Sequence, residues 1–227
     1  MLEGIKACFF DMDGTIIDSM WMWKDIDIRF LGERGIELPG DLQKRIEGKS
    51  FSETAVFFKE EFALSETLDE IKNIWNDMAM EAYCNRVQLK DGVLEFLKEL
   101  KAKGIHTGIA TSNSLELALG CLRALDVEQY FDTVVTGCCV GVGKPAPDIY
   151  LKCASDCQVI PSDCRVFEDV MAGIESGHNA GMKVCAVYDE SAANEQDVID
   201  KIADYKVESF DELIKILGLD KAQNQPQ

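Results

Sequence analysis

Short apolar runs alternate with longer amphipathic stretches along most of this chain, and the alternation is interrupted once. Residues 5–10 form a mostly apolar run that stops at Asp11-Met12-Asp13-Gly14. A run of that length closed by a turn signal reads as a buried strand. From Met20 to about Val87 the pattern is helical throughout, with segments at Met20–Leu31, Gly40–Ile46, Phe51–Phe62 and Ser65–Tyr83. Ser52 stands where it can cap the third of these, with Glu53 in the first turn. From Leu89 the strand–helix rhythm returns. Val93, Leu94, Phe96, Leu97 and Leu100 give one helical face, ending at Gly104, and Ile105–Ala110 reads as the next strand. Leu115, Ala118, Leu119, Leu122 and Leu125 form a second face, opened by an Asn113/Glu116 capping pair. Strand 133–136, helix 148–156, strand 165–167, a small-residue helix near 172–179, strand 183–187 and helix 210–217 complete the pattern.

Strands alternating with helices over short loops predict an α/β fold with a parallel sheet and right-handed crossovers. The pattern divides the chain into an α/β core, residues 1–18 and 88–220, and an all-helical insertion, residues 19–87. The insertion begins just after the Asp-x-Asp turn, the place for a lid over whatever that turn builds. A polar tail at 221–227 reads as disordered.

In a parallel sheet the carboxyl ends of the strands share one edge. Four strand ends here carry polar groups: Asp11 and Asp13, Thr111-Ser112, the loop to Lys144, and Glu168-Asp169. Each alone is commonplace, as a turn, a helix cap or a solvated loop. Their recurrence at successive strand ends predicts a single site. Four carboxylates against one lysine repel one another, so the cluster asks for a hard cation such as Mg²⁺. With that cation the site can admit a phosphate, helped by hydroxyl and N–H donors of Thr111 and Ser112 at a helix N-terminus. Other motifs fall away. No terminal Glu follows at EF-hand spacing, and Gly141-Val142-Gly143-Lys144 lacks P-loop glycine spacing and has Pro145 in place of Ser/Thr. His178 has no partner at ligand spacing and reads as structural or exposed.

A formal net charge of −18 argues against nucleic-acid and anionic-membrane partners. Nine cysteines without a Cys-x-x-Cys, and only two His, do not make a zinc framework; they fit core thiols in a reducing cytoplasm. A monomer is expected.

These motifs, in this order, resemble a haloacid dehalogenase (HAD) superfamily phosphohydrolase with a helical cap, in the β-phosphoglucomutase-like branch. The likeness extends to about Val187. Asp11-Met12-Asp13-Gly14-Thr15 matches the first family motif, Thr111-Ser112-Asn113 the second, Lys144 the third and Glu168-Asp169 the fourth. The resemblance implies a HAD-like Rossmannoid core and an aspartyl-phosphate mechanism, with Asp11 as nucleophile and Asp13 as general acid and base. It implies Mg²⁺ held by Asp11, the Asp13 carbonyl and Asp169, with Glu168 behind, and phosphate held by Thr111, Ser112, Asn113 and Lys144. From the insertion, Lys49, Arg45 and Trp23 are the candidates to face the substrate.

Three functions remain open: a phosphatase on a small phosphorylated metabolite, a sugar phosphomutase, and a non-catalytic binding protein. The intact acids count against the third. Departures from the mutase pattern favour the phosphatase. Phe51 stands where the mutases' cap Arg would be, Trp23 where their His would be, and Thr15 replaces their common Val. A mutase must grip a second phosphate, which an Arg fork does well and a Phe cannot do.

Overall fold

A computed structural model of the chain describes residues 1–219, so the tail expected at 221–227 lies outside the described residues. Among the described residues there are eight strands: β1 Ala7–Phe10, β2 Ile17–Asp18, β3 Gln88–Leu89, β4 His106–Thr111, β5 Thr133–Thr136, β6 Cys164–Glu168, β7 Lys183–Val187 and β8 Tyr205–Val207. Six form one parallel sheet in the order β5-β4-β1-β6-β7-β8. Among the described residues there are eleven α-helices, the first four in the insertion between β2 and β3: α1 Met20–Gly32, α2 Leu42–Ile46, α3 Phe51–Glu61, α4 Leu68–Asn85, α5 Val93–Ala102, α6 Leu115–Ala124, α7 Gly137–Val140, α8 Asp148–Asp156, α9 Met171–Asn179, α10 Gln196–Ile202 and α11 Phe210–Ile216.

The central strand shows how the layers are filled. Successive side chains of β1 point to opposite faces. Ala7 and Phe9 join the core with Ile149, Tyr150 and Cys153 of α8, Ile174 of α9 and Ile199 of α10. Cys8 and Phe10 join the other core with residues of α5, α6 and α11. There Phe10 stacks on Phe167 with ring centroids 4.8 Å apart, and Phe96 and Phe210 close around the pair. The result is a sheet covered on both sides.

The helical segment leaves and re-enters the core through a narrow neck. Ile17 and Asp18 pair antiparallel with Leu89 and Gln88. Lys90, just beyond, donates to the Gly14 carbonyl and to Tyr188 O (2.9 Å), and pairs with Asp189 at 2.7 Å. Within the segment, Phe30, Phe58, Phe51 and Trp75 make an aromatic cluster with centroid spacings of 4.9–6.0 Å. The segment also touches the far edge of the site. Phe51 N donates to Ser112 O at 2.7 Å, and Glu47 accepts from the Ala172 N–H at 2.9 Å. Gly143 is needed here, because a Cβ would lie 2.3 Å from the Gly48 carbonyl.

The strands predicted at 133–136 and 183–187 form with those limits, and the others shift by a residue or two. The structure adds β8, α10 and the neck strands β2 and β3, which are too short to carry a periodic signal. Two predicted caps move. Ser50, not Ser52, caps α3 in a reciprocal box with Glu53, because it is Ser50 that lies three residues before that glutamate. Ser114, not Asn113, caps α6 by accepting from Leu117 N; the Asn113 side chain is drawn elsewhere.

Phe210 is fully buried against Phe10, Phe96 and Phe167, in the core that α5, α6 and α11 close over the sheet. Phe210→Ala is expected to lower unfolding stability by about 3–5 kcal/mol, read as a shift in urea midpoint with unchanged slope. A shift within experimental scatter would mean that α11 is not part of the cooperative core.

Candidate active site

The four strands whose ends carried polar signals are neighbours in the sheet, β5-β4-β1-β6. In register, Phe10 faces Ile109 on one side and Phe167 on the other, so Asp11, Thr111 and Glu168 emerge at the same edge. Asp11 is fixed there by its own N–H, which donates to Phe167 O at 3.0 Å.

Lys144 reaches across from the loop after β5 and binds two acids at once. Its Nζ lies 2.5 Å from Asp11 Oδ1 and 2.5 Å from Glu168 Oε1. Tyr150 of α8 donates to the same Glu168 oxygen at 2.5 Å. Burial pulls Lys144 toward neutrality, but Asp11 and Glu168 outweigh it and hold the ammonium charged, above its ordinary value. Burial pushes the Asp11 carboxyl up to about 7; Lys144 opposes the rise, and Glu168 and Asp13 add to it. Asp169 is held well above the usual carboxylate range, first by burial and then by Asp11 and Glu168, against the hydrogen bond from Thr15. One lysine does not neutralise this cluster.

The remaining acceptors match a cation. Oxygens of Asp11, Glu168 and Asp169 come within 4.8 Å of one another. Thr15 donates to Asp169 Oδ1 at 2.7 Å, while Asp169 Oδ2 and Glu168 Oε2 are buried with no hydrogen-bond partner. Gly14 lies directly over Asp169: it has φ +83°, and a Cβ there would stand 2.3 Å from Oδ2. Buried anionic oxygens without donors cost several kcal/mol, on the order of 1–3 or more each, unless a positive charge meets them. This donor set of hard carboxylate oxygens suits a divalent cation of the Mg²⁺ type.

The carboxylate of Asp13 is turned away from this cluster. Its Oδ1 accepts from Ser19 Oγ (2.6 Å), Trp23 Nε1 (3.0 Å) and Tyr83 OH (2.5 Å), and its Oδ2 accepts from Asn113 Nδ2 (2.7 Å). Trp23 thus reaches Asp13 through its indole N–H. Sequence reasoning missed Tyr83, which it took only as the end of a helix. Nothing in local periodicity distinguishes it from a core aromatic. Burial and the neighbouring Asp13 raise the Tyr83 hydroxyl well above its ordinary value, so it remains a donor.

The other expected residues divide. Ser112 is half-buried at the sheet edge with its carbonyl tied to Phe51 N. Thr111 is buried, its hydroxyl accepting from Asn113 N at 3.1 Å. Asn113, expected on phosphate, spends its side-chain amide on Asp13 and on Tyr83 OH (2.6 Å). Arg45, expected to face substrate, is paired instead with Glu61 at 2.7 Å and lies over the Phe57 ring. The arginine sits at the end of α2, within reach of that carboxylate on α3. Lys44 is 3.9 Å from Glu195, which leaves Lys49 as the cation of this loop without a carboxylate partner among the described residues. A cleft of about 510 Å³ opens between the segment and the core, lined by Phe51, Ser52, Asn73, Asn76, Ser114 and Thr136 among others. His178 is exposed and bonded to Asp204 at 3.0 Å.

Fold and site together define an α/β enzyme whose acidic sheet edge is built for anion chemistry beside a cation. A family model for haloacid dehalogenase-like hydrolases matches residues 5–181, and the chain belongs to that family. It is 32% identical over 179 residues to a "Phosphorylated carbohydrates phosphatase" of Thermotoga maritima, covering 79% of this chain and 83% of that one. It is 26% identical to "Hexitol phosphatase B" of Escherichia coli K12, covering 92% and 94% of the two chains. A β-phosphoglucomutase from Clostridium difficile has the same fold, with a TM-score of 0.77, 24% identity and coverage of 95% and 96%. The chain is accordingly a phosphoric monoester hydrolase of the HAD type. Among the described residues, no helix is long and apolar enough to cross a membrane.

The raised carboxyls give the metal-free protein a defined pH response. From the ordinary carboxyl range up to about 7, the folded chain keeps protons that the unfolded chain has released. Rising pH therefore destabilises it across that window. In chelator, the thermal midpoint should fall between about pH 5 and about pH 7.5, with a shallower fall in Asp169→Asn. Mg²⁺ should restore the wild-type midpoint at the upper pH and not that of the variant. Identical slopes for the two proteins would show that Asp169 carries no such strain.

Proposed function

We propose that this enzyme is a Mg²⁺-dependent phosphatase that hydrolyses a small phosphorylated metabolite, a sugar phosphate or a similar ester, through an aspartyl-phosphate on Asp11. The observation that carries this reading is Lys144 joining Asp11 to Glu168 at the sheet edge, beside the partnerless oxygens of Glu168 and Asp169. The relatives named for phosphorylated carbohydrates and hexitols support the substrate class.

In this reading an Asp11 oxygen attacks phosphorus while the bond to the leaving alcohol oxygen breaks, and Asp13 gives that oxygen a proton. A water then attacks phosphorus, Asp13 takes its proton, and the bond to Asp11 breaks to release inorganic phosphate. Lys144 aligns the nucleophile and offsets phosphate charge; Glu168 and Tyr150 keep Lys144 in place. Ser112, Thr111 and main-chain N–H groups after β4 receive phosphate oxygens, with the Asn113 amide turned to Asp13. Asp11, Asp169 and the Asp13 carbonyl would hold the cation, which supplies the positive charge that lets a dianion approach four acids.

Residues 19–87 act as a cap domain on the β2–β3 neck, over a core of residues 1–18 and 88–220, and select the alcohol. Phosphatase is favoured over mutase by what occupies the cap. Phe51 packs into the aromatic cluster, 5.6 Å from Trp75 and 6.4 Å from Trp23, and Arg45 is engaged by Glu61. Neither provides a fork for a second phosphate. Trp23 can donate a hydrogen bond but cannot carry a proton away. The enzyme works as a monomer in the cytoplasm, where its nine free thiols remain reduced.

The test is phosphate release from a panel of phosphorylated sugars, polyols and nucleosides. Activity should disappear in EDTA, return with Mg²⁺ and be absent in Asp11→Asn, which is isosteric but not nucleophilic. Full turnover in chelator would sink the metal dependence. With β-glucose 1-phosphate and catalytic glucose 1,6-bisphosphate, release of phosphate without isomerisation is expected; faster formation of glucose 6-phosphate would make the enzyme a mutase.

Lys49→Ala should raise KM, about tenfold, for esters whose alcohol carries a further anionic group, and leave p-nitrophenyl phosphate nearly unchanged. Equal effects on both would remove Lys49 from substrate selection.

A further inference from the structure

Tyr83 is fully buried near the end of α4, and its hydroxyl makes three hydrogen bonds. A phenol offers one proton and two lone pairs, so three bonds saturate it. Two of its partners can only donate to it. The Trp23 indole N–H, 3.1 Å away, has no acceptor capacity. Asn113 Nδ2, at 2.6 Å, is set in its orientation by donating also to Asp13 Oδ2; the flipped amide would place oxygen against a carboxylate. The hydroxyl proton of Tyr83 must therefore point at Asp13 Oδ1, and no rotation of the O–H improves on it.

The consequence falls on Asp13. Donors from Ser19 and Tyr83, with the single Trp23 N–H shared between Oδ1 and the Tyr83 oxygen, crowd Oδ1 and leave it no direction open. Oδ2 has one donor, Asn113, and one lone-pair direction to spare. The carboxylate is thus held in a single orientation with Oδ2 as its working atom. All three Oδ1 donors belong to the helical segment, whereas Asn113 belongs to the core after β4. Proximity catalysis depends on fixing a reacting group within a fraction of an ångström, and a hydroxyl that is itself fully satisfied is a stiff support.

We propose that Tyr83 is a positioning residue for the acid–base chemistry: its hydroxyl locks Oδ1 of Asp13 so that Oδ2 meets the oxygen of the leaving alcohol. This rests on the reading of Asp13 as acid and base. Tyr83 touches neither the phosphate nor the nucleophile, and it acts only through Asp13.

The experiment is a double-mutant cycle between Tyr83→Phe and Asp13→Asn, assayed on an alkyl phosphate and on p-nitrophenyl phosphate, with rates normalised to the folded fraction by circular dichroism. Tyr83→Phe keeps the ring and is expected to lower kcat on the alkyl ester about tenfold, with KM within about twofold. The loss should be smaller on the nitrophenyl ester, which needs little proton assistance. In the Asp13→Asn background, removing the hydroxyl should add nothing. An equal loss in both backgrounds, an equal loss on both esters, or no loss overturns the positioning role. Should Asp13→Asn alone slow both esters alike, the acid–base reading of Asp13 fails and takes Tyr83 with it. Should Asp13→Asn discriminate while Tyr83→Phe does not, Tyr83 alone is refuted.

Discussion

The organising constraint of this protein is the repulsion among buried carboxylates at one edge of its sheet. Asp11, Glu168 and Asp169 lie within one small volume with a single ammonium, that of Lys144, between the first two. Like charges that close cannot all remain ionised in a low-dielectric setting without compensation, and the raised Asp11 and Asp169 carboxyls register the deficit. Much of the surrounding architecture answers it. Tyr150 takes a Glu168 oxygen, Thr15 takes an Asp169 oxygen, and Gly14 keeps the space above Asp169 clear. What is left uncompensated is, in the proposed mechanism, what would draw a cation and serve the charge redistribution of a phosphoryl group in transfer.

Asp13 belongs to a different electrostatic regime, although only Met12 separates it from Asp11. The strand ends at Phe10, and the turn carries Asp13 toward the helical segment, where neutral donors rather than cations receive it. Two carboxylates two residues apart thereby acquire separate surroundings, one ionic and one of hydrogen bonds. In the proposed mechanism, environments that differ in this way let one turn supply both a nucleophile and an acid–base group. The same hydrogen bonds stitch the segment to the core, together with the Phe51–Ser112 and Glu47–Ala172 contacts, so the geometry at Asp13 and the seating of the helices are linked.

The sequence by itself determined five of the sheet's six strands, the helical insertion and the identity of the acidic edge. Short apolar runs and faces with period 3.6 are local properties; Asp11, Thr111 and Glu168 stand where those runs end, and Lys144 on the loop that follows one of them. Parallel topology then brings strand ends together whatever the intervening chain does. Tertiary structure decided the rest because the rest depends on which donors meet across elements. Ser50 rather than Ser52 capping α3 is a matter of one turn's phase. Arg45 is spoken for by Glu61, and Asn113 by Asp13, through side-chain pairings between segments that no periodicity encodes. Tyr83 looked like a core aromatic, and by burial it is one, whereas Trp23 was a candidate for the site; only the meeting of α1, α4 and the β1 turn aims the polar ends of both at a carboxylate 70 and 10 residues away in the chain.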